Sequence, residues 1–327
     1  MIKTVTEAFN EFLKEKVNLN SNEISKAVAS KNNLIKNIEN YDKDFFKIYY
    51  AMNLEYGSFA RKTKKKPIDD IDIMICISAD ERKYLETYNE YKITVNSFDR
   101  DNDLIDETGY LNSTKVINKY IKKLKNIDDY EKSEMHKNLE AATLKLKSYT
   151  WNFDIVPCFY TDTGFYLIPD GYGNWKKTDP RIDTQRIEKL NRKCNYKLTE
   201  LIRLVKYWNE RKVTIKVDSY LLETMILNYY ESNNRNENDN WFVDWEFIKT
   251  VEYLSNEILK DVNDYKKIQG NLNNFTFYER IDISEALKNT YNKAYEAFHF
   301  ETEEHNQEKS IDKWKEIFGE EFPSYGE

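Results

Sequence analysis

The chain has 327 residues, 40% of them apolar, which is enough for two lobes or one large domain with a substantial core. Its 50 Lys+Arg against 57 Asp+Glu leave a net charge of −7, so nothing draws it from a distance to a nucleic-acid backbone or an anionic membrane, and neither is expected as a partner. Cys76, Cys158 and Cys194 are odd in number and widely spaced, and His136, His299 and His305 form no zinc-spaced cluster, which argues against a disulfide framework and a structural zinc site.

The opening MIKTVTEAFNEFLKEK lacks a continuous apolar core and reads as neither signal peptide nor anchor, so a soluble, cytoplasmic protein is expected. Val5, Phe9, Phe12 and Leu13, then Ile24, Val28, Leu34, Ile35 and Ile38, recur at helical spacing, with Asn20 or Ser21 as a cap for the second run. Gly57 and Ser58 break that pattern and lead into a basic loop of Arg61, Lys62, Lys64, Lys65 and Lys66. Beyond Pro67 the run IDDIDIMICI alternates as a strand. Residues 80 to 95 are ambiguous and 96 to 112 read as a polar loop, before a short helix from Ser113 with that serine as cap. TLKLKSYTWNFDIVPCFY gives one or two strands ending near Pro157, and GFYLIP gives another extended piece.

Past Asp179-Pro180 the chain turns helical, with KLTELIRLVKYWNERK and DSYLLETMILNYYE as the clearest helices and further patterns at 245 to 262 and 284 to 298. The segment SNNRNENDN from Ser232 reads as a solvated loop, and the closing FPSYGE as a tail that could be mobile. The sum is an α+β protein: a mixed lobe over residues 1 to 170 that includes the N-terminal helices, and a helical lobe over 171 to 327. The cleft between such lobes is the natural ligand site.

Strand alternation puts Ile71, Ile73, Ile75 and Ile77 on one face and Asp70, Asp72, Met74 and Cys76 on the other. A solvated face would explain the aspartates alone, but Met74 and Cys76 mark that face as covered, so two carboxylates projecting at its start call for a cation. Two carboxylates a turn of the pleat apart suit a hard divalent ion, and Mg²⁺ favours them together with phosphate oxygens and water. Gly57 and Ser58 supply an unobstructed backbone, N–H donors and a hydroxyl, as a triphosphate requires. A two-metal arrangement needs a third carboxylate, and Asp154, interrupting the apolar strand NFDIVPCF, meets that need.

Gly-Ser, then alternating aspartates, then one aspartate on a later strand resembles the DNA polymerase β-like nucleotidyltransferase signature. The wording YGSFARKT, PIDDIDIMICI and NFDIVPCF is similar to that of the cGAS/DncV-like nucleotidyltransferases, and GFYLIPDGYGNWKKTDP, LIRLVKYWNERK and DSYLLETMIL extend the likeness over most of residues 20 to 230. The resemblance implies a polymerase β-like nucleotidyltransferase core with a mixed sheet, and an active site in the cleft beside the helical C-terminal lobe. It implies that Asp70, Asp72 and Asp154 are catalytic and bind two Mg²⁺ ions, with Mn²⁺ as an alternative. Gly57 and Ser58 would cradle the triphosphate, and Lys206 and Ser219 would contact phosphates from the helical lobe. Read without the resemblance, Lys206 is a lysine snorkelling at the edge of the stripe Leu198, Leu201, Ile202, Val205 and Trp208, Ser219 caps a helix beginning at Tyr220, and the basic loop is solvated.

The implied activity joins ATP or other nucleoside triphosphates into a cyclic di- or trinucleotide or short oligonucleotide, releasing pyrophosphate. Its implied setting is bacterial anti-phage signalling, with a separate effector reached through the diffusible product. The alternatives are nucleotidyl transfer to an RNA, protein or small-molecule acceptor, and a catalytically silent nucleotide-binding scaffold.

Overall fold

A computed structural model describes residues 1–40, 46–88, 90–95, 102–127, 130–212, 214–233, 235 and 237–327. Parts of two expected loops, 96–101 of the polar loop and 234 and 236 of the Asn-rich segment, lie outside the described residues. The architecture is α+β, with a mixed sheet and a helical C-terminal part. The chain divides into two compact units, one formed by residues 21–61 and 67–182 and the other by 1–20, 62–66 and 183–327. No helix among the described residues is long and apolar enough to cross a membrane.

The first helix, α1 (Val5–Phe12), is closed by a capping box in which Thr4 and Glu7 satisfy each other's backbone donors, and it runs on into a π-helical turn over Leu13–Val17. Both belong to the helical unit. The sheet unit then begins with α2 (Ser21–Glu39) and continues through β1 (Leu54–Tyr56), the one-turn α3 (Gly57–Ala60), β2 (Asp70–Cys76), β3 (Tyr84–Thr87) and β4 (Glu90–Ile93). Next come α4 (Ser113–Leu124), β5 (Glu134–Asn138), β6 (Ala141–Lys145), β7 (Asn152–Tyr160), β8 (Tyr166–Pro169) and β9 (Trp175–Thr178). The cap of α4 is Asn112, whose side chain accepts from Lys115 N, and not the expected Ser113, which lies inside the helix.

The strands run β1-β2-β7-β8-β9-β4-β3, with β6 also on β7 and β5 on β6. The β2–β7 pair is parallel and the other pairs are antiparallel. Strand β7 does not end near Pro157 as the proline suggests. Its Cys158 carbonyl accepts from Ile77 N on the β2 side, so the alternating Pro157 nitrogen faces the other edge. There β6 has stopped pairing at Ile155 and β8 begins at Phe159, so no ladder donor is needed. One face of the β2–β7 pair carries Ile71, Ile73, Phe153 and Ile155, and the other carries Met74, Cys76, Val156 and Cys158; all are buried, so the pair is covered on both sides.

The helical unit contains α5 (Pro180–Lys193), whose first residue is a proline already shaped for that position, although its opening turn belongs to the sheet unit. It continues with α6 (Leu198–Lys212), α7 (Ser219–Ser232), α8 (Val243–Glu257), α9 (Phe277–Thr302) and α10 (Gln307–Phe318). Phe9 and Phe12 of α1 sit in its core, Phe9 edge-on to Trp314 with ring centroids 4.9 Å apart and Phe12 edge-on to Tyr207 at 5.0 Å. The N-terminal helix thus packs here and not with the 1-to-170 lobe to which the sequence assigned it, because an aromatic helix face fits any apolar core of matching shape. The tail is also held: Phe322 is buried, and residue 2 pairs with the tail through Ile2 N to Glu327 O at 2.9 Å and Gly326 N to Ile2 O at 2.8 Å.

Candidate active site

Parallel pairing of β2 and β7 sets Asp72 directly beside Asp154, with Asp70 two residues earlier on the same face. One carboxylate oxygen from each of the three lies within 4.8 Å of the others, and all three residues are half-buried. Among the described residues this is the one cluster of acidic or metal-ligating side chains with that geometry. Asp69 is exposed and precedes the strand, so it stands outside the cluster.

The opposite neighbour of β2 is β1, in register through Leu54 and Met74, Glu55 and Ile73, and Tyr56 and Asp72. The chain therefore leaves β1 immediately beside Asp72 and turns at Gly57 with φ +75°, a conformation that side chains with a Cβ rarely adopt. A Cβ at Gly57 would stand 1.8 Å from Asp72 Oδ2. Both backbone twist and space therefore require glycine, and its main chain lies against the carboxylate. Ser58 follows in the first turn of α3.

Strand β6 places Thr143 opposite Asp154, and its hydroxyl donates to Asp154 Oδ1 at 2.5 Å. Burial, with Asp70 and Glu140 nearby, holds the Asp154 carboxyl above the usual carboxylate range, against the opposing pull of the Thr143 hydroxyl and His136. The Tyr56 phenol is pushed well up by burial and then by Asp72, Glu140 and Asp154. Thr143, Tyr56 and Glu140 are site residues that the sequence did not reveal. For Thr143 and Tyr56 the signal lies in strand pairing, and for Glu140 in the turn between β5 and β6, neither of which a single sequence specifies.

Lys206 and Ser219 both lie in the helical unit. Lys206 is buried and ion-paired with Glu223, so it does not snorkel as its sequence position suggests. Helix α7 begins at Ser219, one residue earlier than expected, and the cap is Asp218, whose side chain accepts from Tyr220 N at 2.8 Å and Leu221 N at 3.2 Å. Ser219 itself is exposed on the first turn.

Residues 3–115 and 92–191 match the Second Messenger Oligonucleotide or Dinucleotide Synthetase (SMODS) domain. The chain is 36% identical to a probable cyclic nucleotide synthase of Bacillus cereus strain VD146, across 99% of both chains. Among solved structures it is similar to CdnC of Escherichia coli MS115-1, determined with ATP, with a TM-score of 0.70, 16% identity and coverage of 98% of this chain and 99% of that one. It is also similar to the DncV cyclic AMP-GMP synthase of Vibrio cholerae, with a TM-score of 0.58, 13% identity and coverage of 84% and 70%.

Proposed function

The chain belongs to the SMODS family of cGAS/DncV-like nucleotidyltransferases, and from that premise we propose that it condenses nucleoside triphosphates into a cyclic di- or trinucleotide, or a short oligonucleotide, that serves as a second messenger. The observation that carries this reading is the convergence of Asp70, Asp72 and Asp154 within 4.8 Å beside the Gly57 main chain. Three carboxylates with no nitrogen or sulfur donor suit a hard cation, and their partial exposure leaves room for water and phosphate oxygens. Two Mg²⁺ ions held by these residues would neutralise charge on the reacting phosphate and lower the pKa of the ribose hydroxyl.

The residues of the chain supply position. Gly57, with no side chain between its backbone and the site, and the Ser58 hydroxyl offer donors to a triphosphate. Asp154, fixed by Thr143, orients the group that attacks. A ribose hydroxyl oxygen forms a bond to the α-phosphorus of a second nucleotide, the bond from that phosphorus to the pyrophosphate oxygen breaks, and the hydroxyl proton leaves to solvent. Ser219, exposed on the first turn of α7, suits a phosphate contact, and Lys206, which pairs with Glu223 when no ligand is bound, is the second residue read as one. ATP as a substrate is supported by the similar CdnC, which was solved with it. The reading places the enzyme in the cytoplasm, with a separate effector responding to the product in anti-phage defence.

Incubation with labelled ATP, GTP, CTP and UTP, singly and in pairs, with Mg²⁺ or Mn²⁺ should yield a phosphatase-resistant product and pyrophosphate. The Asp72→Asn variant should yield neither, since it removes one ligand charge at almost constant shape. A product that survives this substitution, or none from the wild type under every combination, would refute the reading.

A further inference from the structure

The register across the sheet unit places five side chains in one row. Tyr56, Asp72, Asp154, Thr143 and His136 occupy directly opposed positions on β1, β2, β7, β6 and β5, so all five project from the same face. A second row, one pleat repeat nearer the start of β2, runs Asp70, Asn152, Lys145 and Glu134. On the other side of the acids the face turns apolar, through Leu54, Met74 and Val156. The polar surface beside the aspartates therefore continues outward over β6 and β5.

The β5–β6 hairpin is held on one face and open on the other. From the held face Lys137 Nζ donates to Gly171 O at 2.5 Å and Thr114 Oγ1 at 3.2 Å. On the open face His136 is exposed, and no hydrogen bond among the described residues holds its ring. The ring is near enough to Asp154 to favour that residue's ionised form. Lys145 meets Glu134 at 3.8 Å with side chains 60% and 72% exposed, a pairing that constrains it little. Both His136 and Lys145 can therefore turn to a ligand.

In-line transfer fixes the side of the acids that each nucleotide occupies, because attacking and leaving oxygens stand on opposite sides of the α-phosphorus. The Gly57–Ser58 turn, which suits the triphosphate of the attacked nucleotide, adjoins Asp72 from the β1 side. The attacking ribose then lies toward Asp154, and the rest of its nucleotide over β6 and β5. Two strand spacings, roughly 10 Å, separate Asp154 from His136, a span that a sugar and its 5′-phosphates bridge. We propose that the β5–β6 hairpin carries the acceptor half of the site, with His136 and Lys145 binding the 5′-phosphates of the nucleotide whose hydroxyl attacks. This rests on the nucleotidyl-transfer reading and assigns residues to its second substrate. The rival is that both side chains only guard an edge, since β5 pairs with β6 alone among the described residues. Substitution would then alter self-association and leave nucleotide affinity untouched.

The test uses the full chain as wild type, His136→Thr and Lys145→Gln, both of which suit an exposed strand position. With Mg²⁺ present, 2′,3′-dideoxy-ATP can be attacked but has no hydroxyl to attack with, whereas α,β-methylene-ATP can attack but releases no pyrophosphate. Together they give one linear dinucleotide, and the KM of each substrate is read separately. Each variant should raise KM for α,β-methylene-ATP at least about tenfold and move KM for 2′,3′-dideoxy-ATP by less than about twofold.

Calorimetry with α,β-methylene-ATP and Mg²⁺ measures binding without turnover. It should show two sites in the wild type and, in each variant, one of the two weakened by a similar factor. An unchanged KM for α,β-methylene-ATP in either variant, or a rise shared equally with 2′,3′-dideoxy-ATP, would overturn the proposal. A wild type with fewer than two sites, or variants that keep both at full affinity, would overturn it too. If the wild type makes no product from these analogues or from natural triphosphates, yet binds two and each variant loses one, the transfer reading fails alone and the hairpin still stands as a nucleotide site.

Discussion

Replacing Asp154 with Asn should abolish product formation and yet make the metal-free protein more stable. Asp154, Asp70 and Asp72 hold oxygens within 4.8 Å of one another. At that separation two unit charges repel by about 3.5 kcal/mol with an effective dielectric constant near 20, and by about 0.9 kcal/mol in bulk water. The half-buried site lies between these limits, and the asparagine removes both of Asp154's repulsions while still accepting from the Thr143 hydroxyl. Allowing for solvent screening and relaxation, a net gain of roughly 1–3 kcal/mol is expected, seen as a rise of several degrees in Tm. Thermal melts in EDTA at neutral pH measure it. Added Mg²⁺ should erase the difference, because only the wild type gains the full binding energy; a site at 100 times its Kd contributes about 2.7 kcal/mol. If the Asp154→Asn variant in EDTA melts at or below the wild type, the three carboxylates are not mutually strained and the charge argument for a cation site fails.

Gly57→Ala should lower kcat by about 100-fold or more, since the new methyl must displace the Asp72 carboxylate it meets at 1.8 Å; initial rates of pyrophosphate release test this. Thr143→Val should cut the rate about tenfold by freeing Asp154 to rotate, while Thr143→Ser, which keeps the hydroxyl, should retain most activity. Glu321 is held below the usual carboxylate range by the Tyr207 hydroxyl, with Arg211 and Lys16 beyond it. Its folded pKa being depressed, it stabilises the helical unit above its unfolded value of about 4.3 and loses that contribution as pH falls through the folded value. Urea titrations from pH 7 to pH 3 should therefore show the wild type's advantage over Glu321→Gln at neutral pH vanish in acid. An advantage that is constant with pH would remove this latch from the account.

The division of β2 into an isoleucine face and an aspartate face was legible because a strand's period is fixed by its own backbone, and Asp154 was legible because it breaks an apolar run. What escaped the sequence depends on partners. Thr143 meets Asp154 only through the β6–β7 register. Strand β7 continues through Pro157 only because its neighbours change there. Lys206 lies on the edge of an apolar stripe, and nothing along α6 indicates that Glu223 on α7 will bury it. The Phe9 and Phe12 pattern announces a buried helix face without saying which core receives it, and α10 went unrecognised as a distinct element. Asp218 and Asn112 took the caps expected of the serines beside them, a one-residue shift that propensity alone does not settle.

The parallel register of β2 with β7 joins strands whose aspartates stand about eighty residues apart in the chain. A nascent polypeptide emerging from the ribosome therefore displays an acidic strand long before the segment that completes it has been synthesised. Closing so distant a pair is among the slower steps available to a folding chain. The full acidic cluster thus arrives late and all at once, and a product of premature termination before β7 would carry two of the three acids with nothing to set beside them.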